Sequence, residues 1–215
     1  MKSVVITGST RGLGFEMAKR FRENGWNVLV NGVNADRLQL AINTLSQIPV
    51  GGTVEGFRAN VASEGELQEL ADFAVETFGT IDIWINNAGV NQPMKPLWDL
   101  TVEEMDAILN IDLRGTVMGS GIAVRLMERQ PSGGFVYNLE GHGSNDVMIL
   151  GLSMYGTSKR AVTYYTKALA KELEERKSSV KAGLLSPGGH DHGLYRESAG
   201  WETGNRAIRK DEKVL

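Results

Sequence analysis

At 215 residues the chain can bury one substantial core and asks for no second domain. Charged residues make up 23% of it, the net charge is −3 and no basic block stands out, which argues against nucleic acid or an anionic membrane surface as a partner. The absence of cysteine removes disulfides, thiolate zinc sites and cysteine nucleophiles, and leaves the redox compartment open.

Taken in chain order, the first apolar, β-branched-rich run is residues 3–8 (SVVITG), which reads as a strand. It starts so close to Met1 that no room is left for a leader peptide, and no apolar run approaches the roughly 20 residues of a membrane span, so a cytoplasmic chain is expected. Glycines Gly8, Gly12 and Gly14 follow in TGSTRGLG and lead into a helical stretch, FEMAKRFRENG. Further strands are read at 26–31 (WNVLVN), 53–61 (TVEGFRANV) and 81–87 (IDIWINN). Before the last of these, Leu67, Leu70, Ala71, Ala74, Val75 and Phe78 form the apolar stripe of a helix, opened by a capping box, Ser63 to Glu66, and closed by Gly79. Thr101 and Glu104 open another helix, reaching Arg129. A strand at 133–139 (GGFVYNL), a helix at 152–177 and a strand at 179–187 (SVKAGLLSP) complete the pattern.

Strand and helix alternating six times predict an α/β fold: a doubly wound parallel sheet (Rossmann fold) in one domain, because right-handed crossovers place helices on both faces. Residues 1–188 form this domain. Residues 189–215, rich in glycine, histidine, serine and charge, read as a lid or C-terminal segment, mobile or truncated. Ligands of such sheets bind beyond the carboxyl ends of the strands, where the loops after the first and fourth strands converge.

Strand, glycine turn and helix is the setting of a pyrophosphate site, where the backbone turns tightly and the helix amides meet the charge. An acid at the end of the second strand would accept a ribose 2′-hydroxyl and repel a 2′-phosphate. The positions concerned are Asn31, Gly32 and Val33, all uncharged, while Arg11 in the glycine loop offers donors suited to a phosphate. NADPH/NADP is therefore preferred over NAD. Farther along, MYGTSKR places Tyr155 and Lys159 four residues apart, on one helix face. A tyrosine holds its proton to about pH 10, and a neighbouring cation favours the phenolate, so the pair can give or take a proton.

In order and spacing, TGSTRGLG, NNAG (86–89), Tyr155-x-x-x-Lys159 and SPG (186–188) resemble the short-chain dehydrogenase/reductase family over roughly residues 3–190. The resemblance implies that Tyr155 is the proton donor or acceptor and that Lys159 aids it and binds the nicotinamide ribose. It implies that NNAG supports the central sheet and that a serine orients the substrate oxygen. The cofactor would be held by Gly8, Ser9, Thr10, Arg11, Gly12, Leu13, Gly14, Asn60, Val61, Asn87, Ala88, Gly89, Tyr155, Lys159, Pro187 and Gly188. The helices at 101–129 and 152–177 are similar to those that form subunit contacts in the family, implying a homodimer or homotetramer. Within it, FGTIDIWINNAGVNQ, SGGFVYNLEGHGSN and MYGTSK resemble the plant-type chlorophyll b reductases. That implies NADPH-dependent reduction of a formyl group on a chlorophyll ring to a hydroxymethyl, and a plastid stromal setting if the chain is a trimmed plant-type one. Apolar Met94, Leu97, Trp98, Met148, Leu150 and Leu152 could line a broad cleft for such a pigment. A generic reductase of a small ketone, sugar or steroid, and a non-catalytic dinucleotide-binding protein, are the alternatives.

The chain departs from the family pattern at several positions. The usual serine position, thirteen residues before the tyrosine, holds His142, so Ser144 is assigned to substrate orientation. DLRG places Asp112 where the family has an asparagine that leads protons to the lysine; a carboxylate there could pair with Lys159 and slow proton delivery to Tyr155. Asn60 stands where the family commonly has an aspartate near the adenine. His142, His190 and His192, with Glu140 and Asp191 near them in sequence, could bind zinc or copper, yet the family needs no metal and none is expected. A final family strand is not seen in the sequence.

Overall fold

A computed structural model of the protein describes residues 1–145 and 147–187. Six parallel strands, β1 (Ser3–Ile6), β2 (Asn27–Gly32), β3 (Val54–Arg58), β4 (Ile83–Asn86), β5 (Gly134–Leu139) and β6 (Val180–Leu185), make one sheet in the order β3-β2-β1-β4-β5-β6. This is the expected doubly wound sheet. The strands are shorter than the apolar runs because the run ends, such as Thr7 and Gly8, turn into the loops of the site.

Side chains alternate across each strand, so the sheet is apolar on both faces. Val4, Ile6, Val28, Val30, Ile83 and Ile85 bury one face against α1 (Gly12–Glu23) and α2 (Ala35–Ser46) through Met17, Ala18, Leu38 and Leu45. Val5, Leu29, Trp84 and Val136 bury the other against α3 (Glu64–Phe78), α5 (Thr116–Met127) and α6 (Ser153–Glu175). Each fully buried aliphatic side chain contributes about 1.5–3 kcal/mol.

The predicted capping box of α3 forms only in part. Ser63 accepts from the Glu66 amide, but the Glu66 carboxylate turns away to accept from the Asn60 amide at 2.9 Å. Glu66 thereby ties the helix start to the loop after β3. The box at Thr101 and Glu104 is complete and opens α4 (Val102–Ile108). The helix predicted through Arg129 is interrupted by a π-helical segment, Leu109–Gly115, before α5 begins. Periodicity alone does not reveal such a widened turn, and it holds Asp112. No helix among the described residues is long and apolar enough to cross a membrane.

Candidate active site

The loops after β1 and β4 meet as expected, and one amide side chain joins them. Asn87 Nδ2 donates to the Thr7 and Gly8 carbonyls at 2.8 and 3.0 Å, while the Asn87 and Ala88 amides donate to Thr7 Oγ1 at 3.0 and 3.1 Å. Gly8 has φ +61°, and a Cβ there would lie 2.7 Å from the Ala88 Cα. At Gly14 a Cβ would press on the Asn87 amide and lie 2.7 Å from the Gly8 carbonyl oxygen. Gly12, at φ +58°, faces open space. Its neighbour Arg11 is exposed and is the N-cap of α1, without a side-chain bond to the helix start. The result is a backbone cradle at a helix N-terminus that fits a pyrophosphate.

Asn31, considered in the sequence only as a position lacking an acid, proves to brace this cradle. It is 1% exposed; its Oδ1 accepts from the Gly8 amide at 3.1 Å and its Nδ2 donates to the Phe57 and Ala59 carbonyls at 3.1 and 3.0 Å. Ser9, 0% exposed, donates to the Ile6 carbonyl at 2.6 Å and accepts from the Asn31 amide, so its side chain is structural in this state. Thr10 packs over Gly32, where a Cβ would lie 2.6 Å from its methyl group. At the same strand end Arg58 Nε donates to the Val33 carbonyl at 3.1 Å, adding an exposed guanidinium beside the end of β2. Asn60 folds its Oδ1 onto the Ala62 amide at 3.0 Å, and the Val61 side chain is buried against Gly115.

Asn86 lies behind the site in a fully bonded buried network. It accepts from Trp84 Nε1 and donates to Ser120 Oγ and Asn138 Oδ1, and Asn138 donates to Thr166 Oγ1. This ties β4 to β5, α5 and α6 and accounts for its sheet-supporting role.

Tyr155 and Lys159 stand on the first two turns of α6. Lys159 Nζ lies 5.6 Å from the Tyr155 ring centroid and donates to the Leu139 carbonyl at 3.4 Å. The ammonium is 5% exposed; burial pushes its pKa down, and Asp112 partly restores it. Asp112 Oδ1 accepts from the Val90 amide at 2.8 Å, while Oδ2 is buried with no hydrogen-bond partner among the described residues. Burial raises the Asp112 pKa to about 6, against the lowering effects of Lys159 and of the Val90 amide. The widened turn thus places a carboxyl group near enough to Lys159 for the two charges to interact.

Ser144 is buried in the loop after β5. Its hydroxyl accepts from the Gly141 amide at 3.0 Å and so keeps its own proton to donate. A Cβ on Gly141 would lie 2.6 Å from the Tyr155 hydroxyl, so only glycine lets this loop lie against the phenol. His142 is exposed. Gly188, His190, Asp191, His192 and the predicted lid lie outside the described residues, among which no three metal-ligating side chains gather.

A cleft of about 130 Å³ is lined by Leu13, Asn87, Gly89, Val90, Asn91, Leu139, Glu140, Tyr155, Lys159 and Pro187. It brings together predicted residues from both ends of the chain. Val90, Asn91, Leu139 and Glu140 were not assigned to it from sequence; extending each motif to the carboxyl end of its strand would have found them. The apolar residues expected to line a pigment cleft are not among its lining: Met94 (75%), Trp98 (85%), Met148 (91%) and Leu150 (91%) are exposed on the segments that follow β4 and β5, which meet where Gly151 packs against Met94.

The sequence profile of the short chain dehydrogenase family matches residues 2–202. Over 188 residues the chain is 35% identical to chlorophyll(ide) b reductase NOL, chloroplastic, of Oryza sativa subsp. japonica, covering 86% of this chain and 55% of that one. It is 32% identical over 185 residues to a diacetyl reductase, (S)-acetoin forming, of Staphylococcus epidermidis, covering 84% and 69%. Among solved structures, a short chain dehydrogenase/reductase from Burkholderia phymatum in complex with NAD superposes with a TM-score of 0.81 at 26% identity, covering 86% and 64%. The chain spans about half the length of the rice relative.

Proposed function

The chain belongs to the short-chain dehydrogenase family of oxidoreductases, and from that premise we propose that it is an NADPH-dependent carbonyl reductase acting on the formyl group of a chlorophyll(ide) b-type ring. The observation that carries the reading is the Tyr155–Lys159 pair, held in one cleft with Leu13 of the glycine turn and with Asn87 and Gly89.

Bound NADPH supplies the hydride, which forms the new C–H bond at the carbonyl carbon. Tyr155 gives its phenolic proton to the carbonyl oxygen, yielding the hydroxymethyl product. The Lys159 ammonium stabilises the phenolate left behind and helps to return a proton to it. Ser144 donates to the substrate oxygen and orients it. Gly8, Gly12, Gly14 and the start of α1 would hold the cofactor's pyrophosphate, and Asn87, Ala88, Gly89 and Pro187 would receive its nicotinamide half. Preference for NADPH is supported by the uncharged end of β2, by Arg11 in the glycine loop and by Arg58 beside the end of β2. The pigment substrate is supported by the rice relative and by the exposed apolar side chains on the segments that follow β4 and β5, which suit a large planar ring. Its setting would be the plastid stroma for a plant-type chain and the cytoplasm otherwise. A small-ketone reductase is the second reading, favoured by the diacetyl reductase relative.

The test follows NADPH oxidation with chlorophyllide b and, separately, with diacetyl. Turnover of chlorophyllide b, lowered about 10²–10⁴-fold in Tyr155→Phe with NADPH affinity within about twofold of the parent, is the expected result. Turnover of diacetyl alone selects the second reading, and NADPH binding without turnover of either overturns both.

A further inference from the structure

We propose that Gln92 is a positioning residue for Tyr155: a neutral trans-cap that fixes the start of the catalytic helix from the loop after β4. The inference rests on the reductase reading above for its kinetic consequence, though not for its geometry. α6 begins at Ser153, and its N-cap is Leu152, which offers no side-chain acceptor. A helix start leaves its first amides unserved, and an N-cap side chain ordinarily satisfies the second or third. Here those two amides belong to Met154 and Tyr155, and both donate to Gln92 Oε1, at 2.8 and 3.1 Å. The other end of the same amide, Nε2, donates to the Gly151 carbonyl at 2.7 Å. Gln92 is 4% exposed, so these bonds are made away from water, where each matters more.

One side chain therefore joins the segment that follows Asn87 to Gly89, the turn before α6 and the backbone of the proton donor. A change of a few tenths of an ångström at Gln92 is passed directly to the Tyr155 Cα. The neutrality of the cap also matters. Among the described residues, the charged and titratable groups near the phenol include Lys159 on α6, with Asp112 of the π-helical segment acting on it, Glu140 just after β5 in the same cleft, and exposed His142 next to Gly141. A carboxylate at Gln92 could accept from the same two amides, though it would lose the bond to the Gly151 carbonyl, and it would set a negative charge at the backbone of the residue that must become a phenolate.

The test compares Gln92→Leu and Gln92→Glu with the parent protein. Amide hydrogen exchange is read along α6, the Tyr155 phenol is titrated by absorbance after subtracting Tyr155→Phe, and NADPH affinity, kcat and KM are measured. In Gln92→Leu, exchange at Met154 and Tyr155 should accelerate about tenfold or more while the rest of α6 keeps its protection. Its kcat should fall about tenfold with NADPH affinity within about twofold. Gln92→Glu should keep protection at both amides and move the phenol titration, and with it the pH profile of kcat, upward by roughly half a unit or more. Parent-like exchange and kcat in Gln92→Leu, or an unmoved phenol titration in Gln92→Glu, overturns the proposal. A parent protein that reduces no carbonyl sinks the reductase reading instead, and the exchange and titration results still decide the role of Gln92.

Discussion

Asp112 shows how one exchanged atom alters a buried site. An asparagine would meet the Val90 amide equally well, but the carboxyl group adds a charge 0% exposed to solvent and leaves Oδ2 without a partner among the described residues. Its folded pKa of about 6 lies above the roughly 4 of an unfolded aspartate. Between those values the unfolded chain has lost a proton that the folded one keeps, so the parent protein loses stability as pH rises through this window and not beyond it. Asp112→Asn should therefore gain stability over the parent from pH of about 4 to 7, by up to about 2–3 kcal/mol, read as a widening gap in Tm. The same variant should raise kcat several-fold at neutral pH, because no carboxylate then competes for the Lys159 ammonium; an unchanged rate would remove Asp112 from the proton path. Arg11 makes a second prediction at this scale. Arg11→Ala should weaken NADPH binding about tenfold or more and leave NADH within about twofold, measured as dissociation constants.

Among elements, the glycine turn between β1 and α1 leaves little room for change. Gly14→Ala places a methyl group against the Asn87 amide and 2.7 Å from the Gly8 carbonyl oxygen, both backed by the bonds that join the two loops. Stability should fall by about 1–3 kcal/mol or more, with at least a tenfold loss of NADPH affinity, read by denaturation and by titration. This turn was legible in the sequence because its physics is local: strand, glycine spacing and helix all fall within one short stretch. The strands and the Tyr155–Lys159 face were legible for the same reason, period 2 in one case and four-residue spacing in the other. What was not legible depends on partners far away along the chain. Asn31 looks like a strand residue until its amide is seen under Gly8, Glu66 looks like half of a capping box until Asn60 claims it, and Gln92 is an ordinary loop residue until α6 is found without its own cap. The π-helical segment is likewise invisible to a 3.6-residue period.

For the whole molecule, assembly is the open property on which site and fold both bear. Tyr164 stands 78% exposed on α6, on the helix that carries Tyr155 and Lys159. If that helix meets its counterpart in a homodimer or homotetramer, Tyr164→Arg should shift the protein to a smaller species in sedimentation velocity, and an unchanged distribution would place any contact elsewhere. Inside the subunit, the cluster of Trp84, Asn86, Ser120, Asn138 and Thr166 has a heritable consequence. The Asn86 and Asn138 amides there donate to acceptors on other elements, and the Trp84 indole donates to Asn86 within β4. A lineage that exchanges one member for an aliphatic residue strands its neighbours in the dry interior. Drift at these five positions must therefore be concerted, and their identities should travel together through descent even where the surface around them is rewritten.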